Sequence, residues 1–222
     1  MRWSMSVLDA ISTFRCDESE QSFRVANNLN DKPIIALLAG SRKQEVTSML
    51  PLMMEMNRYF TDYQFVISGA PGLTPDFYQT VLGCGSTIPI VYNQTYKLLT
   101  FSYAALVTSG TATLETALFG VPQVVCYTTI VPNFLYRIGR KFLKVRWISL
   151  VNLIASKEAV RELVQVDFKK EQLTAELQKI VGDTPQRQQM LADYANLRQR
   201  MGVPGASVHA AKAIINFCAD KK

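Results

Sequence analysis

Residues 33–42 have the sequence PIIALLAGSR, an apolar run that ends in a glycine-containing turn. A helical pattern follows over residues 43–60. A short apolar run that leads through a turn into a helix is typical of a parallel sheet, because its strands are buried on both faces. We therefore take this stretch as the first strand and the first strand-to-helix turn of the fold.

The same alternation continues along the chain. Further strands are predicted at residues 64–67, 88–91, 104–107 and 123–127, with helices at 75–82, 94–101 and 111–119. Beyond residue 157 the pattern is helical, at 158–164, 169–181, 185–201 and again after the break at 204–205. This order predicts an α/β fold, with a Rossmann-like parallel sheet, helices on both faces and a helical C-terminal tail.

Three parts are expected along the 222 residues. Residues 1–32 are predicted to be a lead-in or inter-domain segment, with a polar loop at 15–32. Residues 33–203 are predicted to form the Rossmann-like domain, and residues 204–222 a C-terminal helix. The hydrophobic content of 48% is enough to build the core of one such domain.

Composition and motifs exclude several classes of protein. No apolar run reaches the roughly 18 residues of a membrane span, and the first residues do not form a secretory signal. A cytoplasmic location is therefore expected. Four cysteines lack metal-binding or redox spacing. The chain has a single histidine, His209, so a His-ligated metal site would have one such ligand and a catalytic triad would depend on that residue.

The net charge of +6 comes from one segment. No acidic residue lies between Glu115 and Glu158, and the rest of the chain has equal numbers of basic and acidic residues. If residues 134–147 are helical, one face is basic and the other is apolar and aromatic, as in a helix that lies on anionic lipid. The expected membrane-contact residues are Arg137, Arg140, Lys141, Phe142 and Lys144. The alternative is an amphipathic helix that packs on the sheet; a nucleic-acid partner is disfavoured, because the apolar side is too continuous.

Two strand-to-helix turns are candidates for binding an anion, since helix N-termini at this edge of a sheet offer free N–H groups. In the first turn, Gly40 lets the backbone approach an anion, Ser41 can donate, and Arg42 can pair with a phosphate. The alternative is an ordinary loop with a solvated arginine.

The second turn contains Ser109, Gly110 and Thr111 and suits a pyrophosphate. If Thr111 is the N-cap, Glu115 lies one turn into the helix, where its carboxylate could accept hydrogen bonds from two ribose hydroxyls. The alternative is a surface glutamate that favours the helix N-terminus. Its apolar neighbours argue against that alternative.

Several segments carry a resemblance to a known family. They are ALLAGSRKQEV (36–46), TSGTATLE (108–115), PQVV (122–125), SLVNL (149–153) and, near the start, VLDAI (7–11). In this order the motifs resemble the lipid-A-disaccharide synthases. The resemblance extends from about Val7 to the last helix.

The resemblance implies an inverting glycosyltransferase of the two-domain GT-B architecture. It would join UDP-2,3-diacylglucosamine to 2,3-diacylglucosamine 1-phosphate, with release of UDP, as a peripheral enzyme on the cytoplasmic face of the inner membrane. Neither a metal nor a cofactor is expected. By motif, the donor contacts would be Gly40, Ser41 and Arg42 at the diphosphate, Ser109, Gly110 and Thr111 cradling it from a helix end, Glu115 at the ribose, and Asn152 at the donor or its sugar.

Two departures from the family pattern affect this expectation. Ala39 stands where the family usually has proline, and residues 1–32 are not expected to supply the family's N-terminal domain, with its acceptor pocket and carboxylate base. We therefore expect the donor-binding half of the enzyme, which binds UDP but turns over little alone. One alternative is a UDP-binding module that works with a separately encoded N-terminal half. Another is a UDP-N-acetylglucosamine transferase of cell-wall synthesis, which the motifs at 40–42 and 149–153 disfavour.

Overall fold

The computed structural model describes residues 4–83, 85–128, 147–202 and residue 205. Six strands form one sheet: β1 (Ile34–Leu38), β2 (Gln64–Gly69), β3 (Ile90–Tyr92), β4 (Ser102–Thr108), β5 (Gln123–Tyr127) and β6 (Arg161–Val164). All pairs are parallel and the spatial order is β3-β2-β1-β4-β5-β6. The chain thus winds outward in both directions from the pair β1 and β4, which is the doubly wound Rossmann order.

Helices surround this sheet. They are α1 (Ser4–Thr13), α2 (Glu20–Ala26), α3 (Lys43–Glu55), α4 (Pro75–Leu82), α5 (Thr95–Thr100), α6 (Thr111–Leu118), α7 (Leu150–Ala155), α8 (Lys170–Gln178) and α9 (Pro185–Met201). Threonine caps begin α4 and α9: Thr74 accepts from the backbone N–H of Phe77, and Thr184 from that of Arg187. Each cap precedes a proline at the first helical position, so both helices begin where the sequence predicts.

The side chains of β1 alternate between two cores. Ile35 and Leu37 pack with residues of α3 and α6, whereas Ile34, Ala36 and Leu38 pack with residues of α2 and α5. Every residue of the strand is buried. This arrangement confirms the predicted parallel sheet with helices on both faces.

The polar segment at residues 15–32 contains a helix where the sequence predicts a loop. The Ser19 side chain caps α2, and Phe23 of that helix is fully buried in the second core. The Arg24 guanidinium contacts Glu20 at 2.6 Å and donates to the carbonyl groups of Asn30 and Lys32. A helix of two turns with one buried apolar residue carries little periodic signal, and tertiary contacts stabilise it. The division of the chain at residues 32 and 203 stays a prediction.

The predicted helix at residues 158–164 is wrong. This segment contains β6, which pairs with β5 from Val124 opposite Arg161 to Tyr127 opposite Val164. Seven residues with two pairs of consecutive aliphatic side chains are compatible with either structure, and pairing with the sheet edge supplies the backbone partners that decide it.

Two other predicted elements lie outside the described residues. They are the C-terminal helix and nearly all of the amphipathic segment at 134–147, including its five expected membrane-contact residues. Among the helices that the structure describes, none is both long and apolar enough to cross a membrane.

Candidate functional site

A cavity of about 370 Å³ opens at the carboxyl ends of β1 and β4. The order of the sheet reverses between these two strands, and open parallel sheets bind their ligands at such a point. Seven of the eight predicted donor contacts line this cavity: Gly40, Ser41, Arg42, Ser109, Gly110, Thr111 and Glu115. Two turns that are far apart in sequence are thus brought together by the pairing of β1 with β4.

The turn after β1 is built around Glu45, which is not among the residues predicted for the site. Its carboxylate accepts from the backbone N–H groups of Ser41 at 3.0 Å and Arg42 at 3.3 Å. It also contacts the Arg42 guanidinium at 3.1 Å, although the arginine side chain is 82% exposed. The Glu45 carboxylate therefore stabilises the turn, while the Arg42 side chain remains accessible to an anion bound in the cavity.

We expect Gly40→Ala to destabilise this turn. Gly40 has φ of 110°, and a Cβ there would lie 2.5 Å from the Glu45 carboxylate oxygen. Backbone strain of this kind costs about 2 kcal/mol, and the displaced Glu45 would release the Ser41 and Arg42 amides. Urea unfolding monitored by circular dichroism should show the loss. Gly72→Ala is the matched control, because a Cβ at that position meets nothing within 4 Å; an equal loss in both variants would contradict the argument.

The turn after β4 presents the start of α6 to the cavity. The N-cap is Gly110, with φ of 142°, and Thr111, the cap considered from the sequence, is instead the first helical residue. A glycine N-cap leaves the first helical N–H groups free for an anion. The Ser109 hydroxyl is used within the protein, because it donates to the Ile148 carbonyl at 3.0 Å. Ser109 can therefore offer a ligand its backbone or its oxygen lone pairs.

Thr108 is a further polar residue of this turn. Its side chain is 3% exposed and it lines the cavity. Within the described part of the chain, its hydroxyl oxygen has no hydrogen-bond partner. Buried hydroxyls are nearly always bonded, so this group is available to a ligand or a water molecule. Thr108 is the first residue of the TSGT motif at 108–111, and this motif could have placed it among the predicted site residues.

Glu115 is half-buried on α6 at the side of the cavity. Burial raises the pKa of its carboxyl group, and a hydrogen bond from Tyr96 partly opposes that rise. A carboxylate can accept about four hydrogen bonds, so most of its capacity is free for a ligand. Such a group can hold a pair of hydroxyls. Its buried surroundings argue against the alternative of a solvated surface glutamate.

Asn152 is the one predicted donor contact that does not line the cavity. It is fully buried on α7, and its amide donates to the Val160 carbonyl and to Glu162, both at 2.8 Å. Its oxygen accepts from the N–H groups of Ala159 at 2.7 Å and Val160 at 2.9 Å. All of its hydrogen-bonding groups are used, so the side chain joins α7 to the start of β6.

The far wall of the cavity comes from β2 and α5. Ser68 and Thr95 share a hydrogen bond of 2.8 Å between their hydroxyls, and Ala70 and Pro71 lie beside them. No local signal marks these residues, because they reach the cavity only through the pairing of β2 with β1. In the residues described, no group of three or more His, Cys, Asp and Glu side chains could hold a metal ion.

The family model for lipid-A-disaccharide synthetase matches residues 6–214. A curated lipid-A-disaccharide synthase from Syntrophus aciditrophicus (strain SB) is 35% identical over 198 residues, which is 86% of this chain and 51% of that protein. The chain spans about half the length of the curated relatives it matches.

Solved structures show the same fold at low sequence identity. The UDP-GlcNAc 2-epimerase of Neisseria meningitidis, bound to UDP-GlcNAc, has a TM-score of 0.57 at 14% identity, covering 96% of this chain and 52% of that one. The spinosyn rhamnosyltransferase SpnG has a TM-score of 0.58 at 13% identity, covering 90% of this chain and 49% of that one. The predicted fold class, a Rossmann-like half of a GT-B fold, is confirmed.

Proposed function

Because the chain belongs to the lipid-A-disaccharide synthase family, we propose that it is the donor-binding half of a glycosyltransferase. The whole enzyme transfers 2,3-diacylglucosamine from UDP-2,3-diacylglucosamine to 2,3-diacylglucosamine 1-phosphate and releases UDP. One observation carries the proposal: a helix N-terminus, an exposed arginine and a half-buried glutamate converge on one cavity at the point where the sheet order reverses. These are the groups that a diphosphate and a ribose need.

In this proposal the diphosphate lies between the start of α6 and Arg42. Among the described residues, the N–H groups of Thr111 and Ala112 have no hydrogen-bond partner. Together with the dipole of α6, they face the negative charge that develops as UDP departs. The Arg42 guanidinium pairs with a phosphate through two parallel hydrogen bonds. Positive charge from the protein thus takes the place that a divalent cation fills in other transferases.

The sugar nucleotide is oriented from its other end by Glu115. Its carboxylate accepts hydrogen bonds from the two ribose hydroxyls, with the Thr108 hydroxyl buried nearby on the same wall. The reaction also needs a general base for the acceptor hydroxyl. We place that base, together with the acceptor pocket, in the N-terminal half of the enzyme.

A calorimetric titration of the purified chain with UDP, with ADP as the control nucleotide, tests the donor site. Selective binding of UDP supports the proposal, and equal binding of the two nucleotides or none contradicts it.

The half-length match to the relatives also favours a second candidate, a UDP-binding module of a split or inactive enzyme that needs a separate N-terminal half. Sequencing the DNA on both sides of the coding region separates the two candidates: an in-frame N-terminal half supports the first, a separate gene the second.

We extend the proposal to a peripheral position on the cytoplasmic face of the inner membrane, where both lipid substrates lie. The segment concerned, residues 134–147, is basic and aromatic and lies almost wholly outside the described residues. Replacing Arg140, Lys141 and Lys144 with Gln should lower co-sedimentation with anionic liposomes about tenfold, since each basic residue near such a surface contributes up to roughly 1 kcal/mol.

Salt and charge controls accompany this measurement. Binding of the unmodified chain should weaken as salt is raised and should be small on neutral liposomes. A variant with Gln at Arg58, Lys169 and Lys179 loses the same charge from exposed positions elsewhere and should bind like the unmodified chain. If the variant at 140, 141 and 144 binds as well as that control, the segment does not contact the membrane.

A further inference from the structure

The Ser109 side chain is held by a peptide group from outside its own turn. Its hydroxyl donates to the Ile148 carbonyl at 3.0 Å. That carbonyl and the Ser149 N–H belong to one peptide group, and the Ser149 N–H donates to the Glu162 carboxylate at 3.0 Å. A peptide group is planar and resists rotation about its C–N bond, so a bond at one end restricts the other. One rigid unit therefore joins Ser109 at the cavity to Glu162 on β6.

The Glu162 carboxylate is also anchored by other donors. Its Oε2 accepts from the Ile148 N–H at 2.9 Å. Its Oε1 accepts from the Ser149 hydroxyl at 2.7 Å and from the Asn152 amide at 2.8 Å. Hydrogen bonds to a charged acceptor are stronger than neutral ones, and several of them on one half-buried carboxylate leave it little freedom. Glu162 is therefore a fixed point for the backbone at residues 148 and 149.

Fixing Ser109 also fixes the start of α6. Ser109 comes directly before Gly110, the N-cap of that helix, and both residues line the cavity. A glycine cap leaves the first N–H groups of a helix free for an anion, but glycine restricts the backbone less than any other residue. A serine or threonine cap would hold the turn by its own side chain. Here the hydroxyl of the preceding residue holds it, through the peptide group and Glu162.

We propose that Glu162 is a positioning residue for the diphosphate of UDP, which holds Ser109 and the start of α6 in the binding geometry through the peptide group between Ile148 and Ser149. This inference rests on the proposed function, because it deepens the role given there to the turn after β4. Glu162 does not line the cavity, so it acts through the peptide group. A turn that is ordered before binding loses less conformational entropy when UDP binds, which raises the affinity.

The test is a double-mutant cycle on UDP binding, with Glu162→Gln and Ser109→Ala in the full chain. Glutamine has an amide group in place of one carboxylate oxygen, so it cannot accept from both backbone N–H groups. Ser109→Ala breaks the same chain of bonds at the cavity. We expect each variant to lower UDP affinity about fivefold, the effect of one lost hydrogen bond. The double variant should also lose about fivefold, whereas independent effects would multiply to about twenty-fivefold.

Uridine gives a second readout, which a merely structural role would not produce. It has the base and the ribose of UDP but no phosphate, and its affinity can be measured by competition with UDP. Because the start of α6 faces the diphosphate in our proposal, uridine affinity should stay nearly constant in both variants. A general loss of the site would weaken UDP and uridine by the same factor.

Ser149→Ala is the matched control inside the same network. It removes one donor to Glu162 and the side-chain cap of α7, which accepts from the Asn152 N–H at 3.3 Å. It keeps the peptide group and the bonds at both of its ends. This variant should lower the free energy of unfolding and leave UDP affinity unchanged. If it weakens UDP binding as much as Glu162→Gln does, the network has only a structural role and the positioning role is overturned.

The remaining outcomes separate this inference from the proposed function. If the unmodified chain binds UDP selectively, but the two single effects are independent, absent or equal for UDP and uridine, the positioning role is overturned and the donor site stands. If the unmodified chain does not bind UDP, the proposed function fails, and this inference fails with it. Circular dichroism melting verifies that each variant is folded during titration. If Glu162→Gln is not, Glu162→Asp, whose shorter side chain cannot reach both N–H groups, takes its place in the cycle.

Discussion

Glu115→Ala is expected to lower the affinity of the chain for UDP about a hundredfold. The variant removes a charged acceptor that, in our proposal, receives two ribose hydroxyls, and each such bond contributes on the order of 1.5 kcal/mol. Isothermal titration calorimetry gives the change directly. The matched control is Glu171→Ala, an exposed glutamate on α8 away from the cavity, which should bind UDP like the unmodified chain. Unchanged affinity in Glu115→Ala would remove the carboxylate from the nucleotide site.

The pH dependence of UDP binding gives a second view of Glu115. Burial raises the pKa of its carboxyl group above the ordinary value, so the ionised form needed for binding is lost earlier as the pH falls. The affinity of Glu115→Ala for UDP, measured at the same pH values, shows how much of the pH dependence comes from the ionisation of UDP itself. The unmodified chain should show an additional loss of affinity on the acidic side, and identical profiles would contradict this assignment.

The ionised form of Glu115, which UDP binding requires in our proposal, should lower the stability of the folded chain. A carboxyl group whose pKa is raised by folding stabilises the folded state below its unfolded pKa, and this contribution is lost as pH rises through the folded pKa. At neutral pH the buried charge of Glu115 is therefore a cost to folding. Glu115→Gln, which keeps the shape and removes the charge, should be at least as stable as the unmodified chain. Lost binding in that variant would then reflect the site and not unfolding.

Asn152→Ala should lower the free energy of unfolding by about 3 kcal/mol, because it leaves buried backbone groups without partners. The Val160 N–H and C=O groups both bond to this side chain, at 2.9 Å and 2.8 Å, and Glu162 loses one of its donors. Urea unfolding monitored by circular dichroism measures the change. Asn196→Ala is the matched control, since that asparagine is exposed on α9.

The same variant distinguishes two roles for Asn152. The family resemblance implies a contact with the donor or its sugar, whereas the structure places the side chain in a buried network that includes Ser149 and Glu162. If the network is its role, Asn152→Ala loses stability and, at temperatures where it is folded, binds UDP nearly as tightly as the unmodified chain. Unchanged stability with weakened UDP binding would instead make Asn152 a ligand contact.

Local sequence was sufficient to predict five of the six strands and the two glycine turns that follow β1 and β4. Strand β1 was predictable because a parallel strand with helices on both faces is apolar throughout, a property of five consecutive residues. The turns at Gly40 and Gly110 follow such strands directly, and both glycines have positive φ. Because helices begin at this edge in every parallel α/β sheet, two glycine turns after two strands were enough to predict seven residues of the cavity.

Only the tertiary structure decided the elements and partners that depend on distant contacts. The segment at 158–164 is a strand because β5 offers it an edge, and α2 is a helix because Phe23 and Arg24 find buried partners. Asn152 turns inward because the backbone at Val160 lies within its reach. Periodicity and turn composition describe the chain over a few residues. Hydrogen bonds between residues that are far apart in sequence are set by the order and packing of the strands and helices that carry them.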